Sequence, residues 1–212
     1  MIKIGITGGI ASGKSIAASY CESNGAYVFN ADRESKKHLK KSLKLQKKII
    51  QIFGNKIAPQ NKINLNLLAQ EAFKSKINIE ILNGIMWPEV FLLINKEYEK
   101  VNKLNKYSAF IVDAALIFEA NYKSFFDSTI LITASKKIRI DRAIKRKNIS
   151  LENIQNRISF QMTDKEKINL ADYVIKNEYS IENLYKKIDE IFEKIISVEW
   201  FFELLKNHQL SY

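Results

Sequence analysis

The run Gly8-Gly9-Ile10-Ala11-Ser12-Gly13-Lys14-Ser15 constrains this chain more than any other part of it. It matches the pattern G-x-x-x-x-G-K-[ST] and stands between an apolar run, residues 2–7, and a segment, residues 14–23, that can continue as helix. Gly8 and Gly13 let the backbone curl with its N–H groups facing inward, and the following helix adds the partial positive charge of its amino end. Such a loop holds a phosphate by backbone alone. Lys14 is then expected to reach the outer phosphates of a nucleoside triphosphate, and the Ser15 hydroxyl to ligate Mg2+. The competing reading is a plain glycine turn with a solvent-exposed lysine, which the flanking strand and helix disfavour.

Apolar runs recur at residues 27–29, 109–113, 129–132 and 173–175, separated by helical patterns. They are apolar throughout rather than at every second residue, which points to a parallel sheet covered on both faces. The expected fold is α/β, a P-loop kinase with a five-stranded parallel sheet covered by helices, as one domain over residues 1–212. Between residues 35 and 105 the pattern is almost wholly helical, with breaks expected at 54–64, at Asn83-Gly84 and at Pro88, read as a helix start. That block reads as an inserted helical subdomain, leaving a core of about 1–34 and 106–212. Further helices are expected at 136–147, 151–161 and 164–170, with one or two over 181–205. In parallel sheets ligands bind beyond the carboxyl ends of the strands, where residues 8–13, residues 30–32 and Asp113 all fall.

Composition excludes several other classes. With 46% hydrophobic residues in 212 the chain can bury a substantial core. No run approaches the roughly 18 apolar residues of a membrane span, and the first residues read as strand rather than signal peptide, so a cytoplasmic protein without a membrane partner is expected. The single Cys21 cannot form an internal disulfide and reads as a small core residue; His38 and His208 lie far apart with no neighbouring thiol, which disfavours a zinc site. The net charge of +11 invites a nucleic-acid reading, but 29 of the 34 basic residues are lysines spread along helices, the pattern of a solvated surface. Four of the five arginines, Arg139, Arg142, Arg146 and Arg157, fall in one short stretch. That stretch calls for the planar, bidentate guanidinium.

Phosphoryl transfer requires positioning, charge neutralisation and a group that takes the proton of the attacking hydroxyl. Asp32, just after the second strand, is the candidate base; the competing reading is an N-cap of the next helix. Asp113 ends an apolar strand, either as a carboxylate near magnesium or as a turn residue. Glu119 faces either an acceptor site or solvent. Arg142 and Arg146, four apart on one helix face, suit a lid of about residues 139–165 closing on the transferring phosphate, or else surface ion pairs with Asp141 or Glu152. The apolar tail at residues 200–205 suits a docked helix or a partner surface.

At this point the residues resemble the bacterial dephospho-CoA kinase family over nearly the whole chain. The family's T-G-G-I-x-S-G-K-S opening is matched by residues 7–15, its D-A-D turn by Asn30-Ala31-Asp32, and its P-L-L-x-E-like segment by residues 115–119. Its lid pattern is matched by Arg142, Arg146, Arg157 and Gln161, and its A-D-x-V-I-x-N ending by residues 171–177. The resemblance implies transfer of the ATP γ-phosphate to the ribose 3′-hydroxyl of dephospho-CoA, with ATP and Mg2+ as cofactors and the helical subdomain taking the acceptor. It implies Asp32, Lys14 and Arg142 as catalytic residues. Nucleotide binding would fall to Gly8, Gly9, Ala11, Ser12, Gly13, Lys14, Ser15, Ile16, Arg146 and Asn177, and metal binding to Ser15 and Asp113. Asn30, Ile16, Ala115, Leu65 and Trp87 depart from the pattern, standing where Asp, Thr, Pro, Arg and His are usual.

Other readings stay open. Another P-loop kinase of nucleosides, nucleotides or small alcohols would share loop and lid, but not the turn at 30–32 together with the ending at 171–177. A GTP switch would want N-K-x-D, which no Asn-Lys pair here completes. A nucleic-acid-binding ATPase would draw on the basic charge, yet no helix-turn-helix, RNA-binding aromatic motif or zinc finger is present. The expected partners are therefore the small molecules ATP and dephospho-CoA, with no nucleic acid, and the expected state is a monomer or weak homo-oligomer.

Overall fold

The computed structural model describes residues 1–145 and 150–209. Five strands, β1 (Ile2–Thr7), β2 (Tyr27–Asn30), β3 (Ala109–Asp113), β4 (Ser128–Thr133) and β5 (Tyr173–Lys176), form one parallel sheet in the order β2-β3-β1-β4-β5. The apolar runs become strands buried on two sides because alternate residues serve different layers. Ile2, Ile4, Ile6, Ile111, Ile130 and Ile132 pack with α1 (Lys14–Ser23) and α9 (Ile181–Gln209). Phe29, Phe110 and Val112 turn the other way, towards Ile94 and Val101. In α9 the buried residues Leu184, Ile188, Ile191 and Ile195 recur at helical spacing, which gives a stripe rather than a ring. The run at 200–205 lies within α9, and its side chains fall outside those described.

The helical block starts earlier than the sequence pattern suggests, and its α-helices are interrupted at 42, 54–64 and 73–75. It comprises α2 (Ala31–Lys41), α3 (Leu43–Phe53), α4 (Leu65–Ala72) and α5 (Lys76–Asn102), with short 3-10 turns at Asn55–Ile57 and Pro59–Asn61 between α3 and α4. Ser42, Asn64 and Ser75 cap α3, α4 and α5 through their side chains. A separate apolar cluster of Leu39, Leu45, Ile49, Phe53, Leu68 and Ile85 holds these helices together.

Pro88 does not start a helix: α5 runs through it, and through Asn83-Gly84. The carbonyl that loses its partner belongs to Gly84, four residues back. The helix continues because Ile85, Ile94 and Val101 bury on both sides of the proline. By length and composition α5 is long and apolar enough to cross a membrane, contrary to the reading of the sequence. In the fold it serves two clusters, with Ile85 packed among the helices and Ile94 and Val101 against the sheet.

The second half supplies α6 (Lys136–Lys145), α7 (Leu151–Ser159) and α8 (Asp164–Leu170). Thr163 and Glu166 close a reciprocal cap at the start of α8. Ile10 and Ala11 of the glycine-rich loop pack with Ile140, Ala143, Ile154 and Ile158, so α6 and α7 rest on the loop through apolar contact. Cys21 is core, as read, and burial pushes its thiol up to about 12.

Glu119 faces neither acceptor site nor solvent. Its Oε1 pairs with Lys167 Nζ at 2.8 Å and accepts the Met162 N–H at 3.0 Å. The Lys167 side chain is only 1% exposed, and its ammonium also donates to the Ala115 carbonyl at 3.2 Å. Nothing local in the sequence signals that α8 turns the Lys167 side chain inward. Glu119→Ala should destabilise the protein by about 3–5 kcal/mol in urea denaturation, because it leaves the Lys167 charge buried alone. Glu119→Leu combined with Lys167→Met should recover much of that loss; equal stability of the Glu119→Ala variant and the parent would count against the pair.

Candidate active site

The site gathers at the carboxyl edge of β1, β2 and β3. Register sets Asn30 of β2 and Ile6 of β1 opposite Asp113 of β3, so the turn after β2 and the loop after β1 flank one carboxylate. Asp113 is 1% exposed. An ionised carboxylate at that depth requires compensation. It receives the Lys14 ammonium in a short contact, the Asn30 Nδ2 at 2.7 Å and the Ser15 hydroxyl at 3.4 Å.

Two close approaches shape the loop. Gly13 is left-handed at φ 102, and a Cβ there would lie 2.1 Å from Asn177 Nδ2, so only glycine admits the Asn177 amide, which donates to the Ser12 carbonyl at 2.8 Å. At Gly8 a Cβ would lie 2.3 Å from the Ile132 carbonyl oxygen. Ala11 is also left-handed, with φ 58, a conformation an L-residue adopts at some strain. The Ser12 hydroxyl is buried within this curl with no partner among the described residues. Lys14 opens α1, whose N-cap Gly13 has no side chain to satisfy the helix's first N–H groups.

Asp32 sits in the first turn of α2 with its side chain 54% exposed and Oδ2 3.4 Å from Lys14 Nζ. It does not cap that helix. Asn30 does, accepting the Arg33 N–H at 2.8 Å while its amide nitrogen serves Asp113. Both functions use the amide's paired acceptor and donor, which a carboxylate lacks.

Arg142 donates to the Asn177 carbonyl at 3.0 Å and so stands at the Asn177 side rather than over the loop. Arg146 lies outside the described residues. Arg157 lies 5.7 Å from the Phe73 ring and faces the cavity with Gln161. Ile16 turns its side chain against the core behind the loop, and its N–H bonds the Gly13 carbonyl at 3.0 Å, so it is not a wall of the cavity.

The cavity in front of the loop measures about 480 Å³ and continues between the helices, where Leu65, Leu68, Phe73, Leu82 and Met86 line it. Its floor is therefore the phosphate loop and Asp32, and its far wall is apolar. Leu65, at a position where the sequence pattern anticipates a charged side chain, is part of that wall. Trp87 offers only its carbonyl to Tyr122, at 2.6 Å. Among the described residues no group of three or more His, Cys, Asp or Glu side chains could enclose a metal, so any cation here would share its ligands with phosphate.

Comparison with known proteins bears on this geometry. The family model for dephospho-CoA kinase matches residues 2–183. Dephospho-CoA kinase of Chlamydia caviae is 33% identical over 192 residues, spanning 91% of this chain and 95% of that one. The enzyme of Fusobacterium nucleatum is 35% identical over 193 residues, spanning 91% and 97%. Among solved structures, dephospho-CoA kinase from Campylobacter jejuni superposes with a TM-score of 0.65 at 27% identity, covering 91% of this chain and 96% of the other. With a phosphate loop at the edge of a five-stranded parallel sheet and matches along most of its length, the chain belongs to the dephospho-CoA kinase family, enzymes that phosphorylate dephospho-CoA to coenzyme A.

Proposed function

We propose that the loop of residues 8–15 holds the ATP triphosphate while Asp32 removes the proton from the ribose 3′-hydroxyl of dephospho-CoA. The observation that carries this reading is the position of Asp32, half-exposed on the cavity lining and 3.4 Å from the loop lysine. The acceptor oxygen forms its bond to the γ-phosphorus as the β–γ bridging bond breaks, leaving its electron pair on ADP. The hydroxyl proton passes to Asp32. Lys14, paired with two carboxylates, exchanges those contacts for phosphate oxygens, and the loop N–H groups with the Ser12 hydroxyl donate to the remainder.

Mg2+ fits the donor set, since Ser15 and the carboxylates of Asp113 and Asp32 are hard oxygen donors within one small volume. We assign Ser15 as its protein ligand with Asp113 behind it; when bound, the ion neutralises charge on the β and γ oxygens. Asn177 and Arg142 border the adenine side of the loop, and Gly8, Gly9, Ala11 and Gly13 form the cradle. Arg146 and Arg157 belong to a lid of about residues 139–165. The helical block at about 35–105 takes the acceptor, supported by the continuity of the cavity from loop to α4 and α5. Its apolar lining suits the less polar part of the acceptor, and the absence of an arginine at Leu65 leaves acceptor phosphates to other cationic groups such as Lys36 and Arg157. We take the enzyme to act in the cytoplasm on small molecules, as a monomer or weak homo-oligomer.

The direct test is incubation with Mg-ATP and dephospho-CoA and detection of coenzyme A by mass; product from another alcohol and none from dephospho-CoA would overturn the reaction. Asp32→Asn is expected to lower kcat by about 10²–10⁴-fold with ATP affinity nearly unchanged, and unchanged turnover would remove Asp32 as the base. Lys14→Ala should lose ATP-dependent turnover while circular dichroism still reports a folded chain; retained turnover would take the loop out of the mechanism.

A further inference from the structure

Arg139 lies one helical turn before Arg142 and is placed differently from the other arginines. It is buried, 5% exposed, in the opening turns of α6. Its Nε donates to the Ala134 carbonyl just past β4 at 3.1 Å, and its Nη2 pairs with Asp164 at 2.8 Å in the first turn of α8. Two bonds to two separate elements fix the plane of the guanidinium. The remaining nitrogen, Nη1, lies against the phosphate loop: a Cβ on Gly9 would sit 2.0 Å from it, and 3.7 Å from Gln161 Oε1. Gly9 therefore admits a guanidinium pressed onto the loop backbone, where any side chain would exclude it. Burying an arginine costs side-chain entropy and desolvation, so a brace on both flanks with the third nitrogen on the loop indicates a defined task there.

We propose that Arg139 is a positioning residue for ATP: it holds Gly9 so that the loop N–H groups are aimed before the triphosphate arrives, and sets a fixed positive charge beside them. The proposal rests on the reading of residues 8–15 as the ATP site. Lysine does not substitute, because an ammonium cannot bond Ala134 and Asp164 and meet Gly9 in one plane. Asp164 acts through Arg139 by holding its orientation.

The test measures ATP binding to the full chain by calorimetry, together with kcat and the KM of each substrate. Arg139→Gln and Arg139→Lys are expected to weaken ATP binding and raise the KM for ATP about tenfold, with kcat and the KM for dephospho-CoA little changed. Asp164→Asn keeps the arginine and should give a smaller loss in the same direction, which preserves the test if Arg139→Gln fails to fold. The exchange Arg139→Asp with Asp164→Arg should recover the melting temperature lost in Arg139→Gln without recovering ATP affinity, since it restores the pair but not the guanidinium at Gly9. Parental ATP affinity in Arg139→Lys, or its recovery in the exchange, would reduce Arg139 to a brace between α6 and α8 and overturn the proposal. Failure of the unsubstituted chain to bind ATP would overturn both this proposal and the reading of the loop beneath it.

Discussion

The carboxylate of Asp113, buried at the end of a central strand, organises everything around it. A charge at 1% exposure is tolerable only with partners at hand, and three residues from two elements supply them: Lys14 and Ser15 from α1, and Asn30 from β2. Those bonds draw the amino end of α1 and the end of β2 onto β3. The same attraction brings Asp32 near the loop, because Asp32 follows Asn30 by two residues and Asn30 is tied both to Asp113 and to the start of α2. The site is thus assembled by the needs of one buried charge as much as by the phosphate it is built to receive.

A second layer of constraint comes from above the loop. Ile10 and Ala11 bury against α6 and α7, while Arg139 and Asn177 press on Gly9 and Gly13. Apolar packing on one side and fixed polar groups on the other leave the loop little freedom, and a loop already held in its curl loses less entropy on binding an anion. Glu119 and Lys167 extend the same scaffold backwards. Their ion pair joins α8 to the segment after β3, and Glu119 also takes the N–H of Met162, so the residues leading into α8 are tied to that same segment.

The contrast between the two halves of the cavity is chemical. The loop side offers backbone N–H groups, hydroxyls and charge, whereas the side formed by α4 and α5 presents Leu65, Leu68, Leu82 and Met86. Departures from the family's pattern fall unevenly across that divide. Asn30 in place of an acid both caps α2 and serves Asp113 through its one amide. Leu65 is part of the apolar wall, and the Trp87 carbonyl accepts the Tyr122 hydroxyl outside the cavity lining.

Much of this protein is determined locally, and that part is legible in its sequence. The strands are continuous apolar runs, the loop is a short pattern whose glycines answer to steric rules, and α1, α8 and β3 have the bounds that periodicity and capping residues imply. What the sequence could not determine depends on contacts across long separations. The passage of α5 through Pro88, the burial of Lys167 against Glu119 from 48 residues away, and the turn of Arg142 towards Asn177 all follow from packing that brings distant segments together. Arg139 belongs with them: its arginine was conspicuous in a lysine-rich chain, but only the approach of Gly9, Ala134 and Asp164 gave that guanidinium a place. The physical reason is the same throughout. Backbone propensities and turn sterics act over a few residues, whereas the compensation of a buried charge is settled only when the chain has closed around it.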